Sequence, residues 1–156
     1  MMSKTRQLID ALRNSRKTIS VMESCTGGAL SNTITSQEHS SEVFKFGAVT
    51  YVNEYKIKFG VDANIIDKYS VYSIETAKEM SRAIVNFTGA DYGVGITGKL
   101  GSPDDYNPTG DDREVYISVY NGENYYTHTL KVTCDTRIDN KMQVVDSVVT
   151  LLLTIM

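Results

Sequence analysis

The stretch Thr18-Ile19-Ser20-Val21-Met22-Glu23-Ser24-Cys25-Thr26-Gly27-Gly28 decides how this chain folds. Thr18 to Met22 are β-branched, small or apolar and form a short run, which predicts a strand. Small and polar residues and a glycine pair then let the chain turn tightly into a helix of about ten residues from Gly28. A helix start reached in this way offers free N–H groups and the positive end of a dipole, a setting for an anion or an oxyanion. Ser24, delivered by the strand, stands where a nucleophile or an anion-binding hydroxyl would stand. The glycines explain the turn equally well with no site at all, so the chemistry has to be sought in the segments around it.

Outward from this stretch, periodicity marks the other elements. Residues 3–15 place Leu8, Ile9 and Leu12 on one helical stripe. Phe46 to Val52 reads as a second strand and Asn53 to Phe59 as a short helix, with a turn at Gly60. Ser73 caps a helix to about Thr88, with Ile74, Ala77, Ser81 and Ile84 on one face. Tyr92 to Thr97 is a third strand whose glycines imply close backbone approach. Val115–Tyr120 and Tyr125–Val132 form a hairpin through Asn121-Gly122, and a last helix begins near Arg137. Gly101 to Asp112 holds both prolines and much of the Asp and Gly, and reads as a long loop, of a kind more often functional than accidental, with disorder the plain alternative.

Helices separate the first three strands, so those strands are expected to be parallel with right-handed crossovers, and the hairpin then forces one antiparallel strand at the sheet's end. The fold class is therefore α/β: a three-layer α/β/α sandwich with a mixed, mostly parallel five-stranded sheet, read as one domain over residues 1–156. Ligands in such sheets bind beyond the carboxyl ends of the parallel strands. Glu23–Gly28, Tyr51–Lys56 and Thr97–Gly101 converge there.

Composition narrows the partners. The net charge is -3 and the basic residues are scattered, which argues against nucleic acid. The apolar run from Val148 to Met156 is too short for a membrane span, and the charged first residues lack a secretory core, so a cytoplasmic protein is expected. Cys25 and Cys134 are too few for a disulfide framework or a structural zinc site.

A serine nucleophile needs a base. His39 lies in a polar stretch and His128 alternates with threonines late in the chain, so neither is placed for a triad. Lys56 lies just beyond Tyr51, and both residues could face Ser24; a lysine in that role needs its pKa lowered by burial or charge. An exposed helix lysine is the plain alternative. Cys25 as nucleophile has no histidine to activate it. Asp105 to Asp111 has oxygen ligands at the spacing of a calcium loop, but Tyr116 stands where the bidentate glutamate belongs.

Three blocks together resemble the CinA carboxy-terminal domain family: Glu23-Ser24-Cys25-Thr26-Gly27-Gly28, Val49-Thr50-Tyr51-Val52-Asn53-Glu54-Tyr55-Lys56 and Gly95-Ile96-Thr97-Gly98. The resemblance covers residues 5 to 155. It implies an amidohydrolase that deamidates nicotinamide mononucleotide to nicotinic acid mononucleotide and ammonia, without cofactor or metal, as a homodimer whose ligand is a pyridine nucleotide. By the same resemblance Ser24 is the nucleophile, Lys56 its base and Tyr51 an assisting hydroxyl. N–H groups near Thr26, Gly27 and Gly28 would hold the oxyanion, and Thr97 and Gly98 would bind the substrate. Glu23 would hold Lys56 or a substrate hydroxyl, and Arg137 or Lys141 a phosphate.

The third block departs from the family pattern. A neutral, glycine-rich wall is replaced by Lys99-Leu100-Gly101-Ser102-Pro103-Asp104-Asp105, and Asp111-Asp112-Arg113-Glu114 leads into the next strand. The alternatives are an amidase acting on another substrate and a non-catalytic nucleotide- or anion-binding domain of the same fold.

Overall fold

The computed structural model describes residues 1–156. In chain order the elements are α1 (Lys4–Ser15), β1 (Ile19–Glu23), α2 (Ala29–Thr35), β2 (Phe44–Val49), α3 (Asn53–Lys58), α4 (Ala63–Tyr69) and α5 (Ile74–Thr88). β3 (Tyr92–Gly98), β4 (Glu114–Tyr120), β5 (Tyr125–Lys131) and α6 (Arg137–Ile155) follow. The five strands lie in the order β2-β1-β3-β4-β5. β1 runs parallel to both β2 and β3, whereas β3–β4 and β4–β5 are antiparallel. The sheet is mixed as expected, with two parallel and two antiparallel pairings.

The alternation along β1 assigns the two faces. Ile19 and Val21 join Val94, Ile96 and Ile117 in the larger core, under α1, α2 and α6. Met22 and Ala48 turn to the other face, against Ile66 of α4 and Met80 and Ile84 of α5. β1 is buried along its whole length, which is why its sequence lacks a polar alternation. α5 lies directly on β3: a Cβ on Gly93 would stand 2.3 Å from the Ser81 carbonyl oxygen, and one on Gly95 2.3 Å from that of Ala77. The two glycines are the contact surface for a helix backbone.

Some boundaries differ from expectation for local reasons. β2 begins at Phe44 and ends at Val49, its last ladder bond running from the Thr50 N–H to the Glu23 carbonyl at 2.8 Å. α2 has seven residues; Thr33, Thr35 and Ser36 each bond a carbonyl four residues earlier, and such residues are weak helix formers. α4 is an element the periodicity did not reveal, although Asp62 caps it by accepting from Asn64 N–H at 2.9 Å.

Candidate active site

The carboxyl ends of β1 and β2 open into a cavity of about 670 Å³. Ser24 and Cys25 line it from the turn after β1, Tyr51, Val52 and Asn53 from the entry to α3, and Gly98 and Lys99 from the end of β3. Its remaining wall is the loop after β3, through Asp104, Asp105, Tyr106 and Asn107, together with Arg137 at the start of α6.

Lys56 reaches Ser24 from α3. It is the bulkiest of the fully buried side chains, only 1% exposed, so it is no solvated helix lysine. Its Nζ lies 2.6 Å from the Thr50 carbonyl, 3.4 Å from that of Tyr51 and 3.0 Å from Ser24 Oγ. Two carbonyls thus take two of its N–H bonds and orient the third tetrahedral position toward the serine. As an ammonium, Lys56 donates to Oγ there; as a neutral amine, it presents its lone pair to the Ser24 O–H. No carboxylate pairs with the amine, and burial pulls its pKa down from 10.5 to about 8, with a smaller opposing pull from the Cys25 side. Cys25, also buried, has its thiol pushed up to about 12 by desolvation and is not a thiolate nucleophile near neutrality.

Glu23 does something other than expected. Its carboxylate accepts from the N–H groups of Leu30 and Ser31, each at 3.0 Å, from Thr26 Oγ1 at 2.6 Å and from Ser31 Oγ at 2.7 Å. It bonds neither Lys56 nor the cavity; it neutralises the start of α2 from inside. The anion setting read from the strand-turn-helix pattern is therefore filled by the protein's own carboxylate. The amides of Cys25, Thr26 and Gly28 remain without an acceptor in the protein. Of these residues only Cys25 touches the cavity.

Three further residues need correction. Thr97 is fully buried and donates to the Val71 carbonyl at 3.0 Å, so it braces the approach to α5 and does not face a ligand. Thr26 is equally buried and spends its hydroxyl on Glu23. Lys141 does not line the cavity; its ammonium lies over Gly27, where an added Cβ would meet it at 3.1 Å. Gly27 and Gly28 both have positive φ and serve the turn. Tyr51 lines the cavity with 62% of its surface exposed, and its phenol bonds neither Ser24 nor Lys56.

The long loop is tied down. Gly101 N–H donates to the Asp112 carbonyl at 2.7 Å and closes the neck. Asp104 accepts from the Tyr72 hydroxyl, from Asn107 Nδ2 at 3.1 Å and from the Tyr106 amide at 3.0 Å. Asn53 reaches Asn107 at 3.4 Å, and Ser70 and Thr109 share a bond of 2.7 Å. Asp111 accepts from the Arg113 amide and Lys131, so the calcium-loop spacing serves internal contacts. Tyr72 is a site residue that sequence reading missed; it stands alone before the α5 cap with no motif around it.

A mixed α/β sandwich that buries a Ser–Lys pair beyond its parallel strand ends is the class this molecule falls in. Within that class, residues 2–156 match the family model of the CinA C-terminal domain. The chain belongs to the CinA C-terminal domain family. A CinA-like protein of Desulfovibrio desulfuricans is 41% identical over 95 residues, 60% of this chain and 22% of that protein. A putative competence-damage inducible protein of Thermoanaerobacter pseudethanolicus is 37% identical over 134 residues, 82% of this chain and 31% of that protein. The chain thus spans less than a third of these relatives. Among solved structures, a competence-damaged protein (CinA) superfamily protein from Klebsiella pneumoniae superposes with a TM-score of 0.87 at 26% identity, covering 96% of this chain and 92% of that one.

Proposed function

We propose that this chain is an amidohydrolase that deamidates nicotinamide mononucleotide to nicotinic acid mononucleotide and ammonia. The observation that carries the reading is Lys56, a buried amine with no carboxylate partner, held 3.0 Å from Ser24 Oγ at the edge of a nucleotide-sized cavity. A lysine kept this way is a base near neutral pH, and a serine hydroxyl needs one.

In this mechanism Ser24 Oγ attacks the carboxamide carbon as its proton passes to the Lys56 lone pair. The Cys25 amide, with no internal acceptor and set at the cavity wall, is the donor available to the oxyanion. The tetrahedral intermediate collapses as the C–N bond breaks and Lys56 returns the proton to the leaving nitrogen, releasing ammonia. Lys56 then takes a proton from water, which hydrolyses the Ser24 ester to the carboxylate product. Arg137, which lines the cavity and pairs with no carboxylate, is the cation available to a phosphate. Lys99 is spoken for by Asp112 at 3.3 Å.

The test is ammonia release from nicotinamide mononucleotide by the purified protein beside Ser24→Ala. Turnover that falls by about three orders of magnitude or more in the variant supports the nucleophile and the activity together. Folded wild-type protein that binds the nucleotide without turnover would favour the non-catalytic binding domain, for which the acidic loop on the cavity wall is the supporting feature.

A further inference from the structure

The cavity wall formed by the loop after β3 is unlike a phosphate pocket. It brings two carboxylates, Asp104 and Asp105, to a space whose cations are Arg137 and the already paired Lys99. Asp104 is half-buried, and three donors converge on it: the Tyr72 hydroxyl, the Asn107 amide group and the Tyr106 backbone N–H. Those bonds hold the carboxylate below its ordinary pKa, the Tyr72 hydroxyl contributing most, so it stays ionised. They also use most of its capacity to accept hydrogen bonds, while its charge remains. Next to it Tyr106 lines the same cavity at 95% exposure, a ring with no partner in the fold. Tyr72 differs, since the Lys99 ammonium already lies 4.9 Å from its ring centre.

A negative charge whose carboxylate is mostly occupied by internal donors, beside an uncovered aromatic face, suits a flat cation that carries its charge without N–H donors. A ring quaternised on nitrogen is such a group. It needs field and stacking, and no hydrogen bond. We propose that Asp104 and Tyr106 form the element of this site that selects a quaternary pyridinium carboxamide over the same amide with an uncharged ring. The proposal rests on the amidohydrolase reading above and adds to it the property of the ring that the site recognises. It also gives the acidic loop a purpose: its carboxylates act on the ring, and Arg137 is left for the anionic end of the same zwitterion.

The experiment compares binding of nicotinamide mononucleotide and its dihydro form by calorimetry, using Ser24→Ala protein to prevent turnover. The two ligands share phosphate, ribose and carboxamide and differ in ring charge. The oxidised form is expected to bind about tenfold tighter or better, and Asp104→Asn, added to the same background, to bring the two affinities within about twofold by weakening the oxidised form alone. Asn keeps one oxygen for Tyr72 and Asn107 and turns its NH2 toward the Tyr106 N–H, so circular dichroism and melting check that the fold holds, and a change in loop shape alone weakens both ligands alike. Tyr106→Leu is expected to weaken the cation about threefold and the dihydro form less. Equal weakening of both ligands by Asp104→Asn would overturn the proposal and make Asp104 a brace for the loop; so would equal affinities for Ser24→Ala, or no effect of Asp104→Asn on the oxidised form. Ammonia release by wild-type protein is scored separately. If the cation preference is found without turnover, the amidohydrolase reading fails and the recognition element stands.

Discussion

Lys56 carries the sharpest consequences at the scale of single residues. The proposed base role requires the neutral amine, so kcat/KM for ammonia release should rise with pH along a limb centred near 8 and level off above it. The same burial has a cost in stability. The unfolded chain keeps the proton up to about 10.5 and the native state only to about 8, so native stability should rise as pH climbs through that interval. Below 8 the penalty is fully present and amounts to roughly 3 kcal/mol. Lys56→Met removes the buried amine while keeping its length. The variant is expected to lose ammonia release and yet to unfold at a higher denaturant concentration at pH 7, a net gain of about 1 kcal/mol after the lost bonds to Thr50 and Ser24 are counted. Equal or lower stability in the variant would show that those bonds outweigh the desolvation. Glu23→Gln gives the opposite result. An amide cannot accept on both sides, so N–H and hydroxyl donors at the start of α2 lose a partner, at a cost of about 2 kcal/mol in equilibrium unfolding.

Among the elements, the contact of α5 with β3 tolerates least. Gly95→Ala places a methyl 2.3 Å from the Ala77 carbonyl oxygen and 2.7 Å from the Ser81 nitrogen, both backbone atoms that cannot rotate away. The expected loss is about 3 kcal/mol or more, read as a lower melting temperature; Gly89→Ala is the milder control, since nothing lies within 4 Å there and only its left-handed backbone as the α5 C-cap costs about 1 kcal/mol. This contact was legible in the chain, since Gly93 and Gly95 interrupt a β-branched strand and demand an explanation. So were β1, the hairpin at Asn121-Gly122 and the capped α5, where strong local chemistry agrees with the packing. The short α4 escaped because seven residues hold too few turns to show a period. The candidate site was legible where a residue's place in a block decides what it meets, as with Ser24 and Lys56, which the fold brings to 3.0 Å. It was not legible where a side chain's use depends on a neighbour brought in by tertiary structure. Glu23 looked free for a ligand because the four donors it satisfies belong to Thr26, Leu30 and Ser31, and their turn toward it follows only from the way α2 docks. Tyr72 gains its part from an aspartate 32 residues later.

Across the whole molecule, the sheet divides labour between its two kinds of pairing. The parallel half, β2-β1-β3, delivers the site; the antiparallel half, β3-β4-β5, closes the loop that walls it. Exposed apolar side chains gather beside the parallel edge, with Val49, Tyr51, Val52 and Tyr55 all about half exposed or more. They flank the cavity mouth, where the homodimer expected from the family resemblance has apolar surface to cover; sedimentation of the purified chain measures whether it forms. α1 and α6 meet on the far side, with Lys4 bonded to Asp146 at 3.2 Å and to Thr150 at 3.2 Å. The first helix therefore begins a little over one turn of α6 from that helix's end. A short flexible linker can join residue 156 to residue 1, and the chain can be opened instead at Asn121-Gly122, where Gly122 has open space around it. Such a circular permutant should melt cooperatively and retain the Ser24–Lys56 pair. The order in which the chain is threaded would then be separable from the chemistry it supports.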